Sequence, residues 1–311
     1  MEALRIALGA EFVQLSLVPM VIGALSAIAC ALPGNYLVLR RQALVSDALS
    51  HVVLPGIVVA FLVTGAITTW PMMIGAAGAA LFAVALIEIV RRVGRIEPGA
   101  AMGVVFTTMF AGGVLLLERS DTSGVHLDVE HALYGNLESL IWFDATGWGS
   151  LLDPVALAGL PPELPRIAVA ALVIVLVWLV SRRPLLLSTF DEGYAATIGV
   201  PVRLIAIGLV AASALAAVAA FDAVGSIIVI AMFVCPPAAA RLMTDSLDRQ
   251  VGWSVVFATL SAVIGYVLAG YGPIWLGHPY SVSAAGMIAA VSGVILALAA
   301  MFGPRRERVT A

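Results

Sequence analysis

The sequence predicts an all-α, polytopic transmembrane helical bundle of about nine spans (eight to nine), and three observations carry that prediction. Of 311 residues, 62% are hydrophobic and only 11% charged, against about 25% charged in ordinary soluble domains. The apolar residues fall into repeated runs of roughly 20, the length that crosses about 30 Å of hydrocarbon. All sixteen basic residues are arginine, and thirteen of them fall on one side of a nine-span arrangement. A soluble globular enzyme is excluded, and residues 1–311 read as a single transmembrane domain.

Apolar runs separated by turn residues place helices near 11–32, 36–64, 71–91, 99–117, 165–181, 201–220, 223–242, 250–270 and 282–302. Before the first, Met1 to Glu11 carries Glu2, Arg5 and Glu11 and lacks a basic region followed by a small-residue cleavage site, so no removable signal peptide is expected. Pro33, Gly34 and Asn35 supply the turn between the first two helices, and the second starts near Tyr36. The third closes with Glu88 and Arg92, an i, i+4 pair suited to a snorkelling salt bridge. The fourth runs into an acidic loop. The fifth ends at Arg182 and Arg183. Asp222 separates the sixth from the seventh and caps the latter's start. His278 lies in the loop between the eighth and ninth. Gly75, Gly78, Gly208 and Gly225 fall within helices, where small residues let backbones approach.

Orientation follows from Arg40, Arg41, Arg91, Arg92, Arg95, Arg182, Arg183, Arg203, Arg241, Arg249, Arg305, Arg306 and Arg308, against Arg5, Arg119 and Arg166 on the other side. The positive-inside rule puts the thirteen in the cytoplasm, with the N-terminus outside and the C-terminus cytoplasmic. The absence of lysine removes Schiff-base chemistry and any Walker A loop, so ATP hydrolysis would belong to another chain. Cys30 and Cys235 lie inside apolar runs and read as free buried thiols.

Two loops stand out. The extracytoplasmic segment 118–165 carries eight acidic residues, among them Asp128, Glu130, Glu138, Asp153 and Glu163, together with His126 and His131. It could gather cations at an outer entry through His126, Asp128, Glu130 and His131, dock a partner, or simply stay solvated. The cytoplasmic segment 182–200 contains Thr189 to Glu192 in capping-box order, followed by Gly199 and Pro201, which predicts a short helix of two turns. Phe190 and Tyr194, four apart, would share a face and fit a groove on a cytoplasmic partner or rest on lipid headgroups.

The second helix holds Asp47 and His51. Ionisable residues within a span usually face a pathway or a partner, because lipid exposure costs roughly 2–3 kcal/mol or more. With the helix starting near Tyr36, Asp47 lies about 9 Å and His51 about 15 Å deeper than Arg41, near the bilayer middle. Spacing i, i+4 brings a carboxylate and an imidazole to one ion. Pro55 would break the helix and free the His51 carbonyl, which suggests a cation site at a broken helix. Pairing of Asp47 with Arg40 or Arg41, and of His51 with a neighbouring helix, is the structural alternative.

With these residues in view, the chain resembles the membrane permease subunit of ATP-binding-cassette importers for zinc, manganese and iron(II). The resembling segments are Tyr36 to Gly56, Glu97 to Phe106, Phe190 to Gly199, Ala223 to Val229 and Cys235 to Arg241. The resemblance implies that Asp47 and His51 are the metal pair of the pathway. It also implies that Phe190, Asp191, Glu192, Tyr194 and Gly199 belong to a coupling helix docking on cytoplasmic ATPase subunits. His126 to Glu138 resembles the manganese- and iron-leaning branch, although 139–165 is longer than in compact zinc-type relatives. The further implications are a multi-pass protein of the bacterial plasma membrane, an extracytoplasmic metal-binding protein, and a second permease copy or a related permease. No permanently bound cofactor is implied: the metal is cargo, ATP binds the partner subunit, and membrane lipid rather than nucleic acid surrounds the chain. An ATP-independent channel or proton-coupled carrier is the competing function, and a metal-dependent intramembrane hydrolase a more distant one that lacks an HExxH pair.

Overall fold

The computed structural model describes residues 9–65, 69–119, 135, 137–278 and 281–305, and among them there are helices, turns and no strand. The helices are α1 (Ala10–Leu39), α2 (Leu44–Thr64), α3 (Thr69–Gly94), α4 (Pro98–Arg119), α5 (Pro154–Ala158), α6 (Glu163–Phe190), α7 (Glu192–Thr197), α8 (Val202–Met243), α9 (Leu247–Trp275) and α10 (Ala284–Phe302). With α8 counted as two arms, Val202–Phe221 and Ala223–Met243, eight helices among the described residues are long and apolar enough to cross a membrane, and α2 adds a shorter apolar stretch, Pro55–Thr64.

The expected turn at Pro33-Gly34-Asn35 is not there. α1 continues through it to Leu39, and the chain turns at Arg40 to Ala43, with Arg41 at φ 56°. Tertiary packing explains the difference. A Cβ on Gly34 would collide with the Phe233 carbonyl of α8, so the glycine marks a close helix crossing rather than a turn. Asn35, fully buried, donates to the Ala31 carbonyl and to Ser254 Oγ of α9, both at 2.7 Å, and accepts from Gln250 Nε2 at 3.1 Å. Near its start α1 contains one π turn, Val13–Leu17. There Ser16 Oγ meets Tyr271 OH at 2.9 Å and Tyr266 OH donates to the Leu15 carbonyl at 3.1 Å, so α9 supplies polar partners to the irregular turn.

α8 is a hairpin. Its 42 residues would extend about 63 Å if straight, twice the hydrocarbon thickness. Ile205 and Leu209 of the first arm line a pocket with Pro33 of α1, while Phe233 and Pro237 of the second arm lie against the adjacent Gly34. Ile205 and Phe233 would be about 42 Å apart in one continuous helix. The chain therefore doubles back between them, and Gly225 (φ 75°, ψ 171°) supplies the non-helical residue. The two spans expected at 201–220 and 223–242 are thus present. The side chain of Asp222 lies outside what the structure describes.

Ile22, Tyr36, Ile228, Phe233 and Ile288 anchor a large core built on α1, α6, α8, α9 and α10, which Val45 of α2, Ala80 of α3 and Met102 of α4 join. Val52, Ala83 and Val105 anchor a smaller one among α2, α3 and α4. In the smaller unit Gly56 of α2 faces Gly75 of α3, each leaving no room for a Cβ on the other, and Gly113 of α4 closes on Pro55. Ala76, Val218 and Phe221 join the smaller unit to α8.

Arg40, Arg91, Arg92 and Arg203 gather at one end of the bundle, whereas Arg166 lies at the other. Arg40 donates to Ser188 Oγ (2.8 Å) and Thr189 Oγ1 (3.1 Å) at the end of α6, and Arg305 pairs with Asp245 at 2.6 Å. Arg40, Arg91, Arg92 and Arg203 line one cavity. At the opposite end, residues 137–162 form a folded cap rather than a solvated loop. Trp142 is fully buried, with its backbone N–H on the Gln14 carbonyl (3.0 Å) and its indole N–H on the Ala156 carbonyl (2.8 Å). Three carboxylates of the expected acidic face are engaged locally. Glu138 accepts from the Ala284 N–H at the start of α10 (2.5 Å), Asp153 caps α5 through Val155 N–H (2.9 Å), and Glu163 pairs with Arg166 (2.9 Å).

Candidate functional site

α2 begins at Leu44, eight residues later than the sequence suggests, and this moves the candidate metal pair. Asp47 falls in the first turn of the helix and His51 in the second, about 4.5 and 10.5 Å from its start. The expected helix start at Tyr36, from which the depth of the pair was counted, is corrected accordingly. The pair itself forms: Asp47 Oδ1 lies 3.4 Å from His51 Nε2, and the side chains are 36% and 28% exposed respectively. Arg40, one of the two alternative partners of Asp47, is turned to α6 instead.

α4 fixes the imidazole. His51 stacks on Phe106 with ring centroids 5.6 Å apart and meets Phe110 edge-on at 5.5 Å. The phenyl rings hold the imidazole plane without competing for its nitrogens. Phe106 and Phe110 are the residues sequence reasoning missed; their i, i+4 spacing on the helix after Glu97 was the available signal. Pro55, four residues beyond His51, does not interrupt α2, which runs continuously through it to Thr64, so the expected helix break is corrected. Pro55 is buried against Gly113 of α4.

Donors about 2.1 Å from a common ion and 3.4 Å from each other subtend about 108° at it, near the tetrahedral angle. An oxygen and an imidazole nitrogen suit manganese, iron(II) and zinc alike. Among the described residues no third His, Cys, Asp or Glu joins the pair. His126, Asp128, Glu130 and His131, the candidate outer entry, lie outside the described residues. His278 is exposed in the turn after α9. Glu88 of α3 pairs with Arg92 at 2.5 Å and Arg91 at 2.9 Å, as its spacing predicts.

The aromatic segment also differs from expectation in detail. α6 continues through Pro184 to Phe190, and the cap of α7 is Asp191, whose carboxylate accepts from Tyr194 N–H at 2.8 Å, rather than Thr189. Asp191 is extended (φ −148°, ψ 93°), so Phe190 ends one helix and Tyr194 belongs to the next instead of sharing a face of one. Both remain exposed, at 59% and 55%, and Gly199 at φ 83° ends the segment. Burial holds the Arg40 guanidinium below its ordinary value, while the nearby Glu192 carboxylate of α7 acts in the opposite direction.

Residues 12–144 and 157–303 match the model of the ABC 3 transport family. The chain belongs to the ABC 3 transport family. The interruption at 145–156 falls in the folded cap. Among family relatives, the manganese transport system membrane protein MntD of Bacillus subtilis is 40% identical over 288 residues, 93% of this chain and 92% of that one. The chelated iron transport system membrane protein YfeD of Yersinia pestis is 34% identical, covering 83% of this chain and 75% of its own. The zinc transport system membrane protein TroD of Treponema pallidum is 32% identical, covering 91% and 73%. The fold matches PsaBC of Streptococcus pneumoniae, solved with a Fab, with a TM-score of 0.71 at 23% identity over 94% of this chain and 93% of that one. Family membership and the apolar helices make this a multi-pass protein of the bacterial plasma membrane.

Proposed function

We propose that this chain is the permease subunit of an ATP-driven importer that carries a divalent transition metal, manganese, zinc or iron(II), into the cell, with ATP hydrolysed on separate subunits. The observation that carries the reading is the Asp47–His51 pair, an ion-binding constellation on a membrane helix of an ABC 3 family member. A metal-binding protein outside the cell delivers the ion, and a second permease copy or a related permease supplies the facing half of the pathway. Uptake of manganese, zinc and iron(II), measured separately with the reconstituted complex, tests the function: metal accumulation that requires ATP supports it, and ATP-independent accumulation would assign the chain to a channel or proton-coupled carrier.

The coupling route is short. Phe190 and Tyr194 offer exposed aromatic anchors for an ATPase groove, and Ser188 and Thr189, immediately before them, hold Arg40 in the turn that opens α2. A displacement of α7 therefore reaches the first turn of α2, where Asp47 sits. Replacing Phe190 and Tyr194 together by Ala should lower ATPase co-purification strongly, since interface aromatics contribute on the order of 2 kcal/mol each. Unchanged co-purification and metal-stimulated hydrolysis would return both rings to the lipid surface.

The reading requires the arginine-rich end, with α7, to face the cytoplasm, as the positive-inside rule gives. Thiol labelling checks this in a Cys30→Ala, Cys235→Ala background. Ser188 is buried and bonded to Arg40, so the exposed positions Thr197 and Ser246 serve as the cytoplasmic sites, with Ala158 and Ser281 as the outer ones. Single cysteines should react with a membrane-impermeant reagent in intact cells at 158 and 281 and stay unmodified at 197 and 246. Labelling at 197 would place α7 beyond the reach of any ATPase.

A further inference from the structure

A cavity of about 450 Å³ opens at the arginine-rich end between α2, α3, α7 and α8, and the metal pair does not use it. It is lined by Val45 and Ala48 of α2, whereas Asp47 and His51 point roughly a third of a turn away, toward α4. Its rim carries four guanidinium groups, Arg40, Arg91, Arg92 and Arg203, against two carboxylates, Glu88 and Glu192. Glu88 is engaged by Arg91 and Arg92, and Arg203 pairs with no carboxylate among the described residues, which leaves a net positive rim. Behind the rim the wall is apolar, formed by residues such as Ala83, Ile87, Ala206 and Val210.

A cation leaving the permease gains nothing from four arginines, and a free inorganic anion would leave the apolar wall facing water. An amphiphile matches both parts at once. We propose that this cavity binds an anionic phospholipid of the adjacent leaflet, its phosphate on Arg203 and Arg91 and one acyl chain against the wall formed by α3 and α8. Basic pockets between membrane helices recognise anionic headgroups by this combination of charge and apolar depth. A bound lipid would bridge α3, α8 and the Glu192 end of α7, so lipid composition would bear on the segment proposed to meet the ATPase.

The test reads binding by mass, not transport, so its outcome stands apart from the import reading. The full chain, purified from membranes with its co-purifying subunits, is exchanged into phosphatidylglycerol or phosphatidylcholine of identical chains, and retained lipid is counted by native mass spectrometry. Phosphatidylglycerol should be retained over phosphatidylcholine. Its retention should fall on the order of tenfold or more in Arg91→Gln/Arg203→Gln, which removes the headgroup contacts. It should fall likewise in Ala206→Phe, which fills the apolar wall and leaves every arginine in place. Equal retention of the two lipids by the wild type would overturn the site, as would full retention in either variant; displacement by inorganic phosphate with Ala206→Phe unaffected would reduce it to a surface anion site. If a variant does not fold, the wild type still decides: phosphatidylglycerol carrying a photoreactive group on its acyl chain should label the α3 and α8 segments containing Ile87 and Ala206, and labelling confined to other segments refutes the proposal.

Discussion

Asp47→Ala and His51→Ala should each reduce metal uptake by at least on the order of a hundredfold, more than loss of a supporting contact around a metal site usually does. Among the described residues the pair stands alone, so removing either member halves the side-chain donors those residues bring to one ion. Asp47→Asn sharpens the test, because it keeps the shape of the side chain and removes the charge that offsets a dehydrating cation. The assembled complex should be recovered in wild-type amounts from all three variants. Both side chains are partly exposed, and even a charged pair at such a site contributes only about 0–1 kcal/mol to stability, too little to unfold the bundle. Uptake of radiolabelled manganese, compared with zinc and iron(II), reads the result. Wild-type transport in Asp47→Ala would remove the pair from the pathway and leave the acidic side chain as a partner of the helix dipole in the first turn of α2.

What was legible in the sequence is what depends on composition and local spacing. Apolar runs located the eight long apolar helices found among the described residues, because hydrocarbon thickness fixes their length. The i, i+4 rule brought Asp47 to His51 and Glu88 to Arg92 without reference to the rest of the fold. Boundaries set by tertiary contact were not legible. Pro33-Gly34-Asn35 has the composition of a turn, yet Gly34 is there to admit the Phe233 backbone and Asn35 to bind α9, neither of which local sequence reveals. Pro55 reads as a break, but Gly113 on another helix packs over it. The true discontinuity is Gly225, which sequence reasoning placed inside a helix as a packing residue. The aromatic cradle of His51 belongs to α4, more than fifty residues away, so the candidate ligands were visible while their positioning was not.

Gly225→Ala should destabilise the protein, and more so than alanine at Gly208, the other glycine of the same hairpin. At φ 75° and ψ 171° Gly225 occupies a backbone region that only glycine visits freely, and a side chain there costs on the order of 1–3 kcal/mol. The surroundings give it little freedom to relax. Val224 and Ser226 on either side are buried, and Gly135 lies so close that a Cβ on it would meet the Val224 carbonyl carbon and the Gly225 nitrogen. Gly208, in the first arm, is the internal control: it is helical, and a Cβ there would meet nothing within 4 Å. Gly208→Ala should therefore be neutral or slightly stabilising, because it removes unfolded-state entropy without strain. Thermal unfolding of the two variants in the same detergent separates the cases, with a midpoint several degrees lower for Gly225→Ala alone. Equal midpoints would mean that the reversal of α8 is carried by another residue. The consequence extends to topology, because the doubling back of α8 is what returns Arg241 to the end of the bundle that holds Arg203, and a variant that straightened this segment would separate the second arm from Gly34 of α1.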